Sequence, residues 1–209
     1  MNRSGQAYAA VKDMIRQREL RGGEVIVEAR IAQALDVSRT PLREALQRLE
    51  GEGLVVKTAN YSFLVRKVDL AEYLNSLNVR ALLEVEATGL AIDRIPLEKI
   101  EFARREIEDL TKASSFDREA HWRSDNTVHG LVADACGNPV LAQMIRTLRV
   151  TTNLFEIEAV ADRIEPDSTE HLVLLDALES RDAARAKRAM RHHINSLKTS
   201  ATRGMLRSG

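Results

Sequence analysis

The hydrophobic period of this chain changes character at about Asp69, and that change limits the folds open to it. Upstream, apolar residues first recur at helical spacing. Residues 6–20, "QAYAAVKDMIRQREL", place Ala7, Ala10, Val11, Met14, Ile15 and Leu20 near one face, and Gly22 and Gly23 are expected to stop that helix. "EARIAQALD" predicts a short second helix. A third starts at Ser38 or Thr40, with Pro41 in its first turn, and runs to about Glu52 before Gly53 breaks it. "LVVKT" and "SFLVRKV" are then β-branched runs on either side of the turn-like "ANY", which predicts a two-stranded hairpin. Helix, helix, helix, hairpin is the order of a winged helix-turn-helix. Beyond Asp69 the strand pattern does not return. Amphipathic stretches cover roughly 69–93, 97–113, 117–136, 139–161, 169–180 and 182–203, punctuated by Pro96, the Gly137-Asn138-Pro139 turn, Pro166 and the Arg181-Asp182 corner. The expected fold is mainly α: an N-terminal winged helix-turn-helix with a small β-hairpin wing over residues 1–68, followed by an antiparallel all-helical bundle over 69–209.

Only 4% of residues are aromatic while 44% are hydrophobic, which suits helices packed through aliphatic side chains better than a sandwich or barrel. The formal charge is zero but unevenly spread. Residues 1–68 hold twelve Lys/Arg against eight Asp/Glu, and the remainder hold nineteen against twenty-three. A basic front end points toward a polyanion and leaves the rear for another task. Cys136 is the only cysteine, so no internal disulfide forms and a reducing compartment is expected. No apolar run reaches membrane-spanning length and Met1 is followed by a polar stretch, so a cytoplasmic location without membrane contact is expected.

On the third helix Leu42, Ala45, Leu46 and Leu49 fall at i, i+3, i+4 and i+7 and mark the core face. Arg39, Arg43 and Gln47 follow one another at intervals of four along a neighbouring face. An arginine fork at the amino-terminal end of such a helix can donate two hydrogen bonds to guanine O6 and N7, or engage a phosphate, and the helix terminus itself favours anions. Ser38 and Thr40 add hydroxyls suited to backbone phosphates. The competing reading makes Arg39 and Arg43 ordinary surface partners of Glu44 and Glu50.

Histidine is scarce, five in all, and three of the five fall into one pattern. Asp125 and His129 lie four apart on "WRSDNTVHGLVADAC", where they can share a cation or form a plain surface ion pair. His171 lies ten residues before Arg181 and His193 twelve after it. In a helical hairpin turning at Arg181 they stand roughly 15 and 18 Å from the corner, at about 1.5 Å per residue. Two histidines level across a hairpin, with an Asp/His pair on another helix, make a three-nitrogen, one-oxygen set. Such a set suits a divalent ion such as Zn, Ni or Mn and leaves room for water or a ligand carboxylate. Cys136 beside Gly137 reads as a buried small hydrophobe, and Trp122 and Phe155 as core or pocket lining.

The stretches "VSRTPLREAL" and "RLEGEGLV", following a short helix, resemble the DNA-binding signature of the GntR family of bacterial transcription regulators over about residues 5–68. The resemblance implies that Arg39, Thr40 and Arg43 contact an operator, that Ser38 positions the helix, and that the hairpin tip near Ala59 to Ser62 reaches the minor groove. Two positions depart from the pattern: the family's arginine on helix two is Ala29 here, and the wing-tip glycine is missing from "ANYSF". From about residue 72 to 203, "DNTVHGLVADACGNPVL", "EHLVLLDAL" and "RDAARAKRAMRHHI" resemble the FadR-type effector domain, called FCD, in its metal-binding version. That likeness implies Asp125, His129, His171 and His193 as ligands, with His192 solvated and His121 without a role. It also implies Arg80 as an anchor for an effector carboxylate, against the simpler reading of a salt bridge with Glu84 four residues on. The function so implied is a ligand-responsive repressor. It would be a homodimer on a palindromic DNA operator, with a small carboxylate effector at the metal. Three other readings are a metal-dependent hydrolytic enzyme using the same ligands, a purely structural metal, and acyl-CoA binding without metal.

Overall fold

The computed structural model describes residues 2–60, 62–113, 117–159 and 163–208. Contacts divide the chain into two units, Met1–Asp69 with Val150–Glu158, and Leu70–Arg149 with Ala159–Gly209.

In the first unit, α1 (Arg3–Arg16) opens at Asn2, whose side chain accepts a hydrogen bond from the Gly5 amide. It stops at Arg16, short of the glycines expected to end it, because Arg18 takes the left-handed conformation at φ 63°. The Arg18 amide then donates to the Ile15 carbonyl and the Leu20 amide to that of Met14, which satisfies the helix end and folds Leu20 into the core. After α2 (Glu28–Ala34), Asp36 at φ 51° makes the tight turn into α3 (Arg39–Gly51). Asp tolerates that backbone better than most residues. Ser38 is the N-cap of α3, and Pro41 sits in the first turn, where no intrahelical amide bond is lost. α1 packs on α3, burying Val11 and Ile15 with Leu42, Leu46 and Leu49. Each such leucine is worth roughly 1.5–3 kcal/mol of burial.

β1 (Val25–Ile26), β2 (Val55–Lys57) and β3 (Phe63–Val65) form an antiparallel sheet in the order β1-β3-β2. The sequence predicts only the β2–β3 hairpin. β1 adds a third strand of two residues, too short for alternation to show in the pattern. The wing is closed by the Thr58 amide donating to the Ser62 carbonyl at 2.8 Å and by contact between the two hydroxyls. Tyr61 at its tip lies outside the described residues.

The second unit is an antiparallel bundle of α4 (Leu70–Ala91), α5 (Leu97–Lys112), α6 (Arg118–Ala135), the first half of α7 (Pro139–Ala159), α8 (Ile164–Glu179) and α9 (Ala183–Ser208). α4 packs on α9 and α6, α8 on α9, and α5 on α6 and α8. α8 begins five residues before the expected 169 and takes in Pro166, which at the third helical position forfeits no hydrogen bond. The α8–α9 corner turns at Arg181, φ 55°, whose guanidinium donates to the carbonyls of Ile92 and Ile95 and so ties that corner to the α4–α5 junction. Within the aliphatic core, α4 buries a polar row at intervals of four, Arg80, Glu84 and Thr88. No described helix is long and apolar enough to cross a membrane.

Candidate nucleic-acid interface and metal centre

Leu42, Ala45, Leu46 and Leu49 turn one side of α3 into the core, and that burial fixes which residues face out. Ser38, Arg39, Thr40, Arg43 and Gln47 are all exposed. Arg39, Thr40, Arg43, Glu44 and Gln47 rim one shallow depression. Arg43 does not pair with Glu44 or Glu50. Its Nε donates to Glu28 Oε2 of α2 at 2.7 Å, with the arginine 60% exposed. Arg30, beside the departing Ala29, reaches Glu24 at 3.5 Å. Arg48 lies on another side of the helix, over the ring of Tyr8 and 3.4 Å from Glu52.

In the bundle, α6 contributes Asp125 and His129, α8 His171 and α9 His193, and their donor atoms all lie within 4.8 Å of one another. The Nε2 atoms of His129 and His171 are each 3.3 Å from Nε2 of His193. Asp125 Oδ1 is 3.5 Å from His129 Nε2 and 3.8 Å from His171 Nε2. The three histidines are buried, and Asp125 is 17% exposed. The spacing agrees with ligands about 2.1 Å from one ion, which stand roughly 3–3.5 Å apart.

Tautomers sharpen the fit. His129 Nδ1 is hydrogen-bonded to the Glu84 carboxylate, and His193 Nδ1 lies 2.9 Å from Glu170 Oε2. A carboxylate there accepts the Nδ1–H, so each Nε2 carries a bare lone pair. Two such lone pairs and a carboxylate oxygen face one another, an arrangement of acceptors that a cation completes. Burial first, with the Arg149 charge adding to it, pulls the His129 pKa down to about 4 against the opposing carboxylates, so the ring is neutral at pH 7. Burial likewise holds His171 well below the usual imidazole range, with the rings of His193 and His129 acting in the same direction. For Asp125, burial alone would raise the pKa, but the charge and hydrogen bond of Arg149 outweigh it and keep the carboxylate ionised, well below its ordinary value. Glu84 is held below its ordinary value in the same way, by Arg80 and His129 against burial.

Arg80 is 1% exposed and donates through Nε to Glu84 Oε1 at 2.6 Å, so the pairing weighed from its i, i+4 spacing is present. Through Glu84 it stands one residue from His129. The sequence does not single out Glu84, Glu170, Arg149 or Arg163 as parts of the centre. Only for Glu84 was there a local signal, its spacing from Arg80. Glu170 and Arg149 meet His193 and Asp125 across helices, and Arg163 acts through Glu170, which no short-range pattern records. His121 approaches Asp167 at 3.6 Å, His192 is exposed, and Cys136 is buried.

Comparison with known proteins matches residues 3–65 to the family described as bacterial regulatory proteins, gntR family, and residues 75–196 to the FCD domain. The chain is 32% identical over 128 residues, 61% of each protein, to the Nta operon transcriptional regulator of Aminobacter aminovorans. It is 26% identical to the HTH-type transcriptional repressor NanR of Cronobacter sakazakii, over 90% of this chain and 80% of that one. Among solved structures, E. coli McbR/YncC superposes with a TM-score of 0.80 at 21% identity, covering 97% of this chain and 98% of that one, a likeness of fold. These families and relatives are regulators and not enzymes, which sets the hydrolytic reading aside.

Proposed function

Because the chain belongs to the gntR family of bacterial regulatory proteins and carries an FCD domain, we propose that it is a cytoplasmic, ligand-responsive repressor, a homodimer on a palindromic operator. Residues 1–68 bind DNA, and residues 69–209 dimerise and take a small carboxylate effector at a divalent ion. The observation that carries this reading is the convergence of Asp125, His129, His171 and His193 in a chain whose α3 exposes an arginine edge.

On the DNA side, Arg39 and Arg43 read base edges or phosphates while Ser38, Thr40 and Gln47 add neutral hydrogen bonds. Arg43 exchanges Glu28 for the nucleic acid. An ion pair so exposed is screened by solvent and holds little, so the exchange is permitted. In the bundle, Asp125, His129, His171 and His193 hold the ion, which when bound supplies a Lewis-acid seat for an effector carboxylate. Arg80 contributes a guanidinium from α4 to the field that draws that anion in.

The test is selection of DNA fragments from a random pool by the purified, metal-loaded protein at fixed salt. Enrichment of a short inverted repeat is expected, followed by release of that fragment on adding small organic acids. No enrichment from a folded, loaded protein overturns the reading. Release that is equally strong after chelation would make the metal structural and place the effector elsewhere.

A further inference from the structure

Three of the four ligands are backed by an arginine, by two routes. Asp125 turns Oδ1 toward His129 and His171 while its Oδ2 accepts from Arg149 Nη2 at 2.7 Å. His129 is backed through Glu84, one oxygen of which meets Nδ1 while the other accepts from Arg80. His193 is backed through Glu170, whose Oε2 meets Nδ1 and accepts from Arg163 Nη2 at 2.9 Å. Arg163 is itself fixed by Asp167 and by the hydroxyls of Ser196 and Ser200. His171 differs. Its polar contacts run through Nε2, and among the described residues no acceptor meets its Nδ1. Packing against the rings of His193 and His129, at centroid distances of 4.4 and 5.3 Å, holds the side chain without fixing its tautomer.

Buried ion pairs are a poor means of holding a fold, because desolvation offsets most of their attraction. Their recurrence behind three ligands therefore calls for a role at the centre. A carboxylate on Nδ1 fixes both the tautomer and the plane of the imidazole, and an arginine on that carboxylate stops it from turning away. Resting on the metal reading above, we propose that Arg149, the Arg80–Glu84 pair and the Arg163–Glu170 pair are positioning residues. They hold Asp125, His129 and His193 as a preset three-ligand face, and His171 is the ligand that adjusts to the ion. Preset ligands lose little freedom on binding, so the face sets affinity and His171 accommodates differences in ionic size.

The experiment uses the full chain. Long-range 1H–15N spectra of the metal-free protein should show His129 and His193 each as a single Nδ1–H tautomer and His171 as a mixture. Titration with Co2+, followed by visible absorption, should then show Glu170→Gln weakening the ion by about ten- to a hundredfold, with the His193 tautomer no longer fixed. Arg163 keeps Asp167 in that variant, so the fold has a remaining partner for the charge. The double variant Arg80→Met, Glu84→Gln removes both charges of the α4 arm and should show the same effect at His129. His171→Ala should still bind Co2+, with an altered spectrum and a smaller loss than His193→Ala. Mixed tautomers at all three rings, Glu170→Gln within twofold of the parent, or His171→Ala as damaging as His193→Ala would overturn the inference. If the parent protein takes up no Co2+, the metal reading itself falls and this inference with it.

Discussion

Arg43, proposed above as a DNA contact, is ordered by an ion pair with Glu28. Its 2.7 Å contact with Glu28 orients the guanidinium on the outer face of α3 without burying it. Arg43→Ala is expected to weaken operator binding by about 1–3 kcal/mol if the fork reads a base, measured by fluorescence anisotropy at constant salt. Unchanged affinity would remove it from the contact surface. Glu52 offers a second residue-level check, away from DNA. Burial would raise its carboxyl, but the Tyr8 hydroxyl, Lys12 and Arg48 outweigh that and leave it below 4.5. A carboxyl depressed on folding stabilises above its unfolded pKa, and the gain disappears as pH falls through the lower folded value. Being one-third exposed, Glu52 contributes no more than about 1 kcal/mol. Urea unfolding should therefore separate parent from Glu52→Gln at pH 7, with the gap narrowing as pH falls below the ordinary carboxyl value of 4.5. A gap that persists in acid would assign the effect to packing. At this scale the four donors of the candidate centre were legible, since i, i+4 spacing and equal heights on a hairpin are properties of one or two helices. Their backing was not, because Glu170 and Arg149 meet His193 and Asp125 across helices, and Arg163 reaches the centre only through Glu170, seven residues on.

The helices of both units follow from apolar spacing, and the differences lie at their ends, where one residue's backbone decides. α1 stops early because Arg18 adopts a left-handed turn that no composition rule assigns to arginine. α8 starts early because a proline in the first turn is compatible with a helix, whereas the sequence reads it as punctuation. β1 escapes notice because two residues cannot display a period. The α6–α7 corner shows the opposite case, a turn whose glycine is required. Gly137 sits at φ 73°, and a Cβ there would stand 1.6 Å from Arg94 Nη1, whose guanidinium donates to the Cys136 carbonyl. Gly137→Ala is expected to destabilise the bundle by about 1–3 kcal/mol, from the strained backbone and the displaced arginine. Chemical denaturation would show it, and a variant within 0.5 kcal/mol, roughly the scatter of neutral surface changes, would mean that both are absorbed.

For the molecule as a whole, the order of elements and the change of period near Asp69 carried the architecture, while the grouping of Val150–Glu158 with the first unit is a tertiary fact with no sequence mark. An ion that binds the folded bundle and not the unfolded chain should raise stability by about 2.7 kcal/mol at a hundred times its Kd. Thermal unfolding with and without Zn2+ or Ni2+ should show that rise and its reversal by chelator. An unmoved transition at millimolar metal would argue against the centre. The arginine backing has one more consequence, which is electrical. Asp125, Glu84 and Glu170 each already answer to a guanidinium, and Asp167, held above the ordinary carboxylate range by burial, leans on Arg163 as well. Four carboxylates thus answer to three guanidiniums, which leaves one of them at most for a dication. Loaded with a dication, the bundle's interior would carry net positive charge that an incoming anion offsets, so the apparent affinity for metal should change with the anion of the buffer.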